Sequence, residues 1–236
     1  MELIEIGVLV FFILFSGFLV FVKAFDIYAI FISLMMGFAI FKLKGLEWFL
    51  VIFLFLIFGI LATYYGRKKR KDAKKHKTRD FDNVISNGLV AFTGVLFNYP
   101  FIYLGSISSA ISDTLSSEIG MLSKTKPVLI TNLGKEVEPG TNGGITKLGF
   151  FAAIIGSLII SLCAYFFYYA FLNQGLFNLR FKLATCVFFG GIFGTVVDSI
   201  LGIVFENRKK MTNGSVNFIS TLLAGFFVHL IMMMFC

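Results

Sequence analysis

Apolar residues run along this chain in long blocks separated by short polar stretches. Blocks of membrane-spanning length fall near 3–22, 25–41, 46–65, 148–172, 183–205 and 215–235 and are read as helices. Two weaker blocks, at about 84–98 and 101–121, are split by Pro100 and are richer in Gly, Ser and Asn. That composition suits helices enclosed by other helices rather than by lipid. The pattern predicts an all-α, polytopic helical membrane protein with about eight transmembrane helices, in a range of roughly six to nine. It divides the chain into an N-terminal three-helix membrane segment (1–65), a basic loop (66–82) and a membrane-embedded core that carries the polar motifs (83–236).

Composition supports the membrane class. Of 236 residues, 58% are apolar and 17% aromatic, and the mean hydropathy is +0.89. A soluble domain of this size has too little interior to hide so much apolar surface. The first residues do not look like a cleavable signal, since Glu2 and Glu5 stand where Lys or Arg would and the apolar run is long. Cys163, Cys186 and Cys236 lie in apolar runs without close spacing, so neither a disulfide framework nor a zinc site is expected.

Charge orients the helices. The segment GRKKRKDAKKHKTR (66–79) holds nine Lys or Arg residues and is expected on the cytoplasmic side. Alternating outward from it places 122–147, 206–214 and the turn at Lys23 on the same side, which collects 17 of the 21 basic residues. Lys42, Lys44, Arg180 and Lys182 fall on the other face, together with both termini. The basic run reads as an anchor to the bilayer surface, and nucleic acid is not an expected partner because no base-reading fold surrounds it. Single cysteines in a cysteine-free background are expected to be labelled from the cytoplasm at positions 75 and 142 and from outside at 178. Labelling of 75 and 142 from opposite sides would overturn this arrangement.

Two of the predicted helices share a polar stripe. Gly105, Ser109, Asp113 and Ser117 are spaced by four in the fifth helix, and Gly190, Gly194, Asp198 and Gly202 in the seventh. Taken alone, such stripes are usually packing surfaces. Each carries one aspartate, however, eight residues before the helix end predicted at Met121 or Glu206. At a rise of about 1.5 Å per residue both lie roughly 12 Å inside the same face. Two buried aspartates at one depth repel unless a proton or cation lies between them, and ionisable groups inside a membrane are functional by default. Mg²⁺ is the expected cation, since it favours oxygen ligands and usually arrives with phosphate.

Further polar groups enter from that face. Asn83 and Asn87 open the fourth helix and Asn217 the eighth, and the loop 122–147 contains EPGTNGG at 138–144. Glycines there permit positive φ, and successive backbone N–H groups in such a turn can cradle phosphate oxygens, although a glycine-rich turn by itself is usually a plain connector. Lys124, Lys126, Lys135 and Lys147 flank the turn, and no Walker-type phosphate loop is present. His76 and His229 have no assigned role, and the NGS sequon at 213–215 is idle in a cytoplasmic loop.

The segments SDTLSSEIGMLSKTKPVLITNLGKEVEPGTNGGITKLG (112–149), GTVVDSILG (194–202) and NGSVNFISTLL (213–223) resemble an integral-membrane family that contains plant phytyl-phosphate kinase and an animal transmembrane protein. The likeness is ordered over roughly residues 79 to 225 and includes RDFDNVISNGLVA (79–91). It departs at Ser112, where the family often has glycine. A fainter likeness extends to the CTP-using dolichol and phytol kinases and to CDP-diacylglycerol synthase. The resemblance implies a prenyl-phosphate kinase, with CTP the expected donor.

On this reading Asp113 and Asp198 hold Mg²⁺, and Glu118 binds a second ion or its waters. Asn83, Asn87, Asn217 and Ser117 orient the nucleotide. Pro139, Gly140, Thr141, Asn142, Gly143 and Gly144 carry the triphosphate, with Lys135 and Lys147 adding charge. The expected partners are a nucleoside triphosphate, an isoprenoid lipid phosphate and the bilayer. Two alternatives stay open: a nucleotidyl transferase that forms a CDP-lipid, and a non-enzymatic transporter or scramblase. The first three helices carry no motif, which leaves packing, lipid access and homodimerisation as roles for them.

Overall fold

A computed structural model describes residues 3–22, 25–69, 80–172 and 177–235. Among them are eight helices of 16 residues or more: α1 (Leu3–Val22), α2 (Ile27–Lys44), α3 (Leu46–Lys69), α4 (Phe81–Leu96), α5 (Pro100–Gly120), α6 (Lys147–Phe166), α8 (Phe177–Leu201) and α9 (Asn213–Met233). A single turn, α7 (Tyr168–Phe171), follows α6, and the π-helical turn Gly202–Glu206 prolongs α8. Five of these segments are long and apolar enough to cross a membrane, and α1 and α4 contribute shorter apolar stretches. Bulky side chains such as Leu14, Phe21, Phe151, Phe181 and Leu230 stand exposed around the bundle, as a lipid-facing surface requires.

Local sequence explains the helix boundaries. Asp26, Asp80, Thr146 and Thr212 cap α2, α4, α6 and α9, each accepting a bond from the backbone N–H three residues on. Between α4 and α5, Asn98 adopts φ 59, which Asn tolerates better than most residues. Pro100 then starts α5, where its missing N–H costs nothing.

The least apolar long helix lies at the centre. α5 packs against α3, α4, α6, α8 and α9 and is buried along most of its length. Two of its serines bond to neighbouring helices. Ser108 Oγ donates to Val187 O of α8 at 2.9 Å, and Ser112 Oγ lies 2.7 Å from Ser157 Oγ of α6. Ser161 Oγ of α6 donates to Ala184 O of α8 at 2.7 Å. Bonds of this kind contribute about 0.6 kcal/mol each in membrane bundles. Small residues allow the close approach: a Cβ at Gly156 would lie 2.9 Å from Ser112 Cα. The two stripes also serve packing, since Gly105 abuts Ala224 of α9 and Gly194 abuts Ser109 of α5.

The N-terminal helices dock on this core. α2 packs on α3 and α4, and α3 on α5. Trp48 Nε1 donates to Ala170 O at 2.9 Å, and the Tyr103 hydroxyl donates to Trp48 O, tying α3 to α7 and α5. Most of the basic run expected to face the cytoplasm lies outside the described residues, as does its position 75.

The loop between α5 and α6 is more ordered than its sequence suggests. It holds an antiparallel sheet, β1 (Val128–Leu129), β2 (Asn132–Glu136) and β3 (Gly144–Ile145), in the order β2-β1-β3. Val128 pairs with both Glu136 and Ile145. This clip brings the glycine-rich turn back over the ends of α5 and α8.

Candidate functional site

At the end of the bundle where α4, α6 and α9 begin and α5 and α8 finish, a polar cavity of about 380 Å³ opens. Asp113, Ser117 and Glu118 of α5 line it, with Asn83 and Asn87 of α4, Asp198 of α8 and Asn217 of α9. Pro139, Gly140, Thr141, Asn142, Gly143 and Gly144 form another part of the wall. Residues from separate parts of the chain, singled out for polarity and spacing, thus share one chamber.

Asp198 accepts a hydrogen bond from Ser220 Oγ at 3.1 Å and lies within electrostatic reach of both Asp113 and Glu206. Asn217 is buried to 7% exposure on α9, where its backbone carbonyl accepts Thr221 Oγ1 at 2.9 Å. Asn83 Nδ2 donates to Asp80 Oδ1 at 3.1 Å, and Asn87 Nδ2 to Asn83 O at 2.9 Å, which fixes the first turn of α4. The starts of α4, α6 and α9 add the positive ends of three helix dipoles. Anions are therefore favoured at these three termini and disfavoured beside the aspartates. A phosphate accompanied by a cation satisfies both halves of the chamber.

The glycine-rich turn is held from within. Thr141 N–H and its Oγ1 both donate to Glu138 O, at 3.1 and 2.7 Å, and Gly144 N–H donates to Thr141 O at 2.9 Å. The N–H groups of Thr141 and Gly144 are therefore committed to the turn, and Gly140, Asn142 and Gly143 are the loop positions left to present N–H groups to a ligand. Gly143, at φ +74, packs on Ile203 and on Ser199 O of the α8 terminus. Asn142 hydrogen-bonds Glu206 at the end of the π-helical turn. Such turns recur at functional sites because the widened ring re-aims the side chains that follow.

The structure brings Glu118 to the cavity and leaves Lys135 and Lys147 outside its wall. Glu118 also accepts a hydrogen bond from Thr63 Oγ1 of α3 at 3.1 Å. Five residues beyond Asp113, it is turned about 140° around the helix from that aspartate. Lys135 lies on the exposed edge strand β2, away from the cavity wall. Lys147 stands exposed on the first turn of α6 and is also absent from the wall. Among the described residues no Lys or Arg lines the cavity. Lining residues that the sequence did not single out include Glu206, Asn213, Thr146 and Ser199. The run of Arg208, Lys209 and Lys210 beside Glu206 makes it look like an ordinary helix end.

The donor set suits Mg²⁺ only in part. Among the described residues, no three His, Cys, Asp or Glu side chains gather closely enough to hold an ion by themselves. Mg²⁺ commonly takes one or two carboxylates and completes its shell with waters and substrate phosphates, so Asp113 and Asp198 fit an ion delivered with a nucleotide better than a resident one.

Fold and site together define a polytopic helical membrane protein whose conspicuous polar chamber opens at one end of the bundle. The chain belongs to the integral membrane protein family DUF92, which matches residues 10–225. It is 36% identical over 200 residues to an uncharacterized membrane protein of Methanocaldococcus jannaschii, covering 82% of this chain and 79% of that one. Protein PGR of Arabidopsis thaliana is 32% identical over 155 residues, 52% of this chain and 51% of that protein. An uncharacterized membrane protein of Synechocystis is 26% identical over 213 residues, 80% and 76% of the two chains. No solved structure matches the chain.

Proposed function

We propose that the protein transfers the γ-phosphoryl group of a nucleoside triphosphate, CTP first among them, to a prenyl monophosphate and so forms the prenyl diphosphate. The observation that carries this reading is the joint placement of Asp113 and Asp198 with Asn83, Asn87, Asn217 and the 139–144 turn around one cavity. In this reading Asp113 and Asp198 hold Mg²⁺, which supplies positive charge to the phosphates when bound. Asn142 and Gly143 N–H groups and the three helix starts bind phosphate oxygens. Asn217 and Asn87 orient the nucleotide. Glu206 fixes the turn through Asn142. An oxygen of the acceptor phosphate attacks the γ-phosphorus, the bond to the β–γ bridging oxygen breaks, and the nucleoside diphosphate leaves. The acceptor oxygen is already ionised at neutral pH, so no general base is needed; an alcohol acceptor would want one. Catalysis then consists of positioning and charge neutralisation. The chamber lies on the cytoplasmic side in this reading, where soluble nucleotide is present.

The test offers purified protein Mg²⁺ with CTP or ATP and, in turn, geranylgeranyl phosphate, geranylgeraniol or phosphatidic acid, with products resolved by mass. Diphosphate formed from the monophosphate alone is the expected result. A CDP-lipid would make the protein a nucleotidyl transferase, and phosphorylated geranylgeraniol an alcohol kinase. No turnover together with no nucleotide binding would favour a transporter or scramblase.

A further inference from the structure

The wall of the polar chamber carries four carboxylates, Asp113, Glu118, Asp198 and Glu206, and among the described residues no Lys or Arg. A ligand bearing several phosphates stays anionic even with Mg²⁺ bound, so it meets repulsion before it reaches the cation site. Positive charge is gathered on the rim instead. Lys124 is exposed between the wall residues Ser123 and Thr125, and Lys147 is exposed next to Thr146. Arg208, Lys209 and Lys210 are all exposed in the short stretch that joins Glu206 to Asn213, both of which line the chamber. Asp82 and Glu138 also adjoin the wall, and Glu138 pairs with Lys126 at 3.5 Å.

The 208–210 stretch is a built turn. Lys209 N–H donates to Glu206 O at 2.8 Å and Lys210 N–H to Phe205 O at 2.9 Å, the pair of bonds that closes a helix through a left-handed residue. That residue is Lys209, at φ 56. Glycine or asparagine usually occupies the position, because a Cβ is strained there. The dipole of α8 favours cations at this end, but Arg208 and Lys210 satisfy it without a lysine at the strained position. Positive charge that only orients the helices can lie anywhere in a cytoplasmic loop. Neither effect accounts for three consecutive cations fixed at the mouth of a chamber lined by carboxylates. Strain that a fold tolerates clusters at functional positions.

We propose that the Arg208–Lys209–Lys210 turn is an entry site for phosphate oxyanions, which captures a soluble polyphosphate at the mouth before it passes the carboxylates. Lys124 and Lys147 extend the positive rim. The choice of a nucleotide as that polyphosphate rests on the proposed function. Rim charges of this kind raise the rate of encounter and have little effect on dissociation.

The experiment compares the full chain in detergent with a variant that combines Arg208→Gln, Lys209→Gly and Lys210→Gln. Association of a fluorescent CTP derivative with Mg²⁺ is followed by stopped flow. The variant is expected to associate at least about tenfold more slowly at low salt. The difference should close toward 1 M salt, where the screening length is about 3 Å. Dissociation should stay within about twofold. The ligand-free unfolding temperature should be unchanged or higher, since Lys209→Gly removes the strain. Lys182→Gln, which removes a cation near the opposite end of α8, should change nothing. An unaltered association rate in the triple variant, or equal slowing in Lys182→Gln, would overturn the proposal. Slowing seen only in phosphatidylglycerol nanodiscs, and not in detergent, would also overturn it and assign the turn to lipid headgroups. Inorganic tripolyphosphate with Mg²⁺, titrated by calorimetry, separates the entry site from the nucleotide reading. Tripolyphosphate binding that weakens in the variant, without binding of the CTP derivative, would keep the first and remove the second. Binding of neither would end both. If the triple variant does not fold, Lys209→Asn carries the same comparison, because Asn suits this backbone conformation.

Discussion

Asp113→Asn and Asp198→Asn are each expected to lower turnover of prenyl monophosphate by about 10²- to 10³-fold, the range seen when one preorganised electrostatic contact to a transition state is lost. Asn keeps the shape of the carboxylate and removes its charge. At 198 it also keeps an oxygen that can accept from Ser220 Oγ, now bonded at 3.1 Å. The fold therefore has little reason to suffer. Asp198 lies within reach of two other carboxylates, Asp113 and Glu206, so removing one charge relieves repulsion in the ligand-free protein. Thermal unfolding in detergent without nucleotide should occur at the same temperature or higher, while the stabilisation given by Mg²⁺ with CTP should shrink. A drop in ligand-free stability with near-normal turnover in both variants would make the aspartates structural and end the proposal.

Glu206→Gln separates positioning from charge. If Glu206 acts by holding Asn142, the neutral amide can still pair with it, and turnover should fall far less than in the aspartate variants. A loss as large as theirs would place Glu206 among the groups that hold the cation.

The chamber was legible because polar residues are costly in apolar helices, so those that remain stand out. Asp113 and Asp198 could be read from a four-residue stripe and an equal distance to the helix end, and Asn83, Asn87 and Asn217 from their place at helix starts. Glu118 was legible as a residue of the cavity, but its bond to Thr63 of α3 was not, since position along the chain does not tell which neighbouring helix a side chain meets. The flanking lysines were misplaced for a related reason. A charge close to a motif along the chain is close in space only if the intervening backbone turns back, and the three-stranded clip carries Lys135 to an exposed edge. Glu206 and the π-helical turn had no sequence signal, because one extra residue in a helical ring leaves the hydrophobic pattern almost unchanged. The packing of α1 on α3 was hidden too: nothing in the two apolar runs tells that Phe12 meets Phe49 and Phe15 meets Phe53.

Gly143→Ala is expected to weaken binding of Mg²⁺ with CTP at least tenfold and to leave the helical content of the bundle unchanged. Two physical effects act at this position. Its φ of +74 strains any residue with a Cβ, at about 1–2 kcal/mol. The added methyl would also run into Ile203 and come within 2.8 Å of Ser199 O, which belong to the rigid end of α8. The turn would have to lift away, carrying Asn142 from Glu206 and its own N–H from the chamber. Gly140→Ala isolates the first effect. Gly140 has a similar φ of +87, but a Cβ there would meet only the flexible end of Met121, at an ordinary 3.7 Å. Its loss of affinity should reflect strain alone and be the smaller of the two. Titration calorimetry of both variants with CTP and Mg²⁺, alongside circular dichroism, measures the difference. Equal losses would mean that seating of the turn on α8 contributes nothing to the site, and unaltered affinity in both would remove the 139–144 turn from the nucleotide's binding surface.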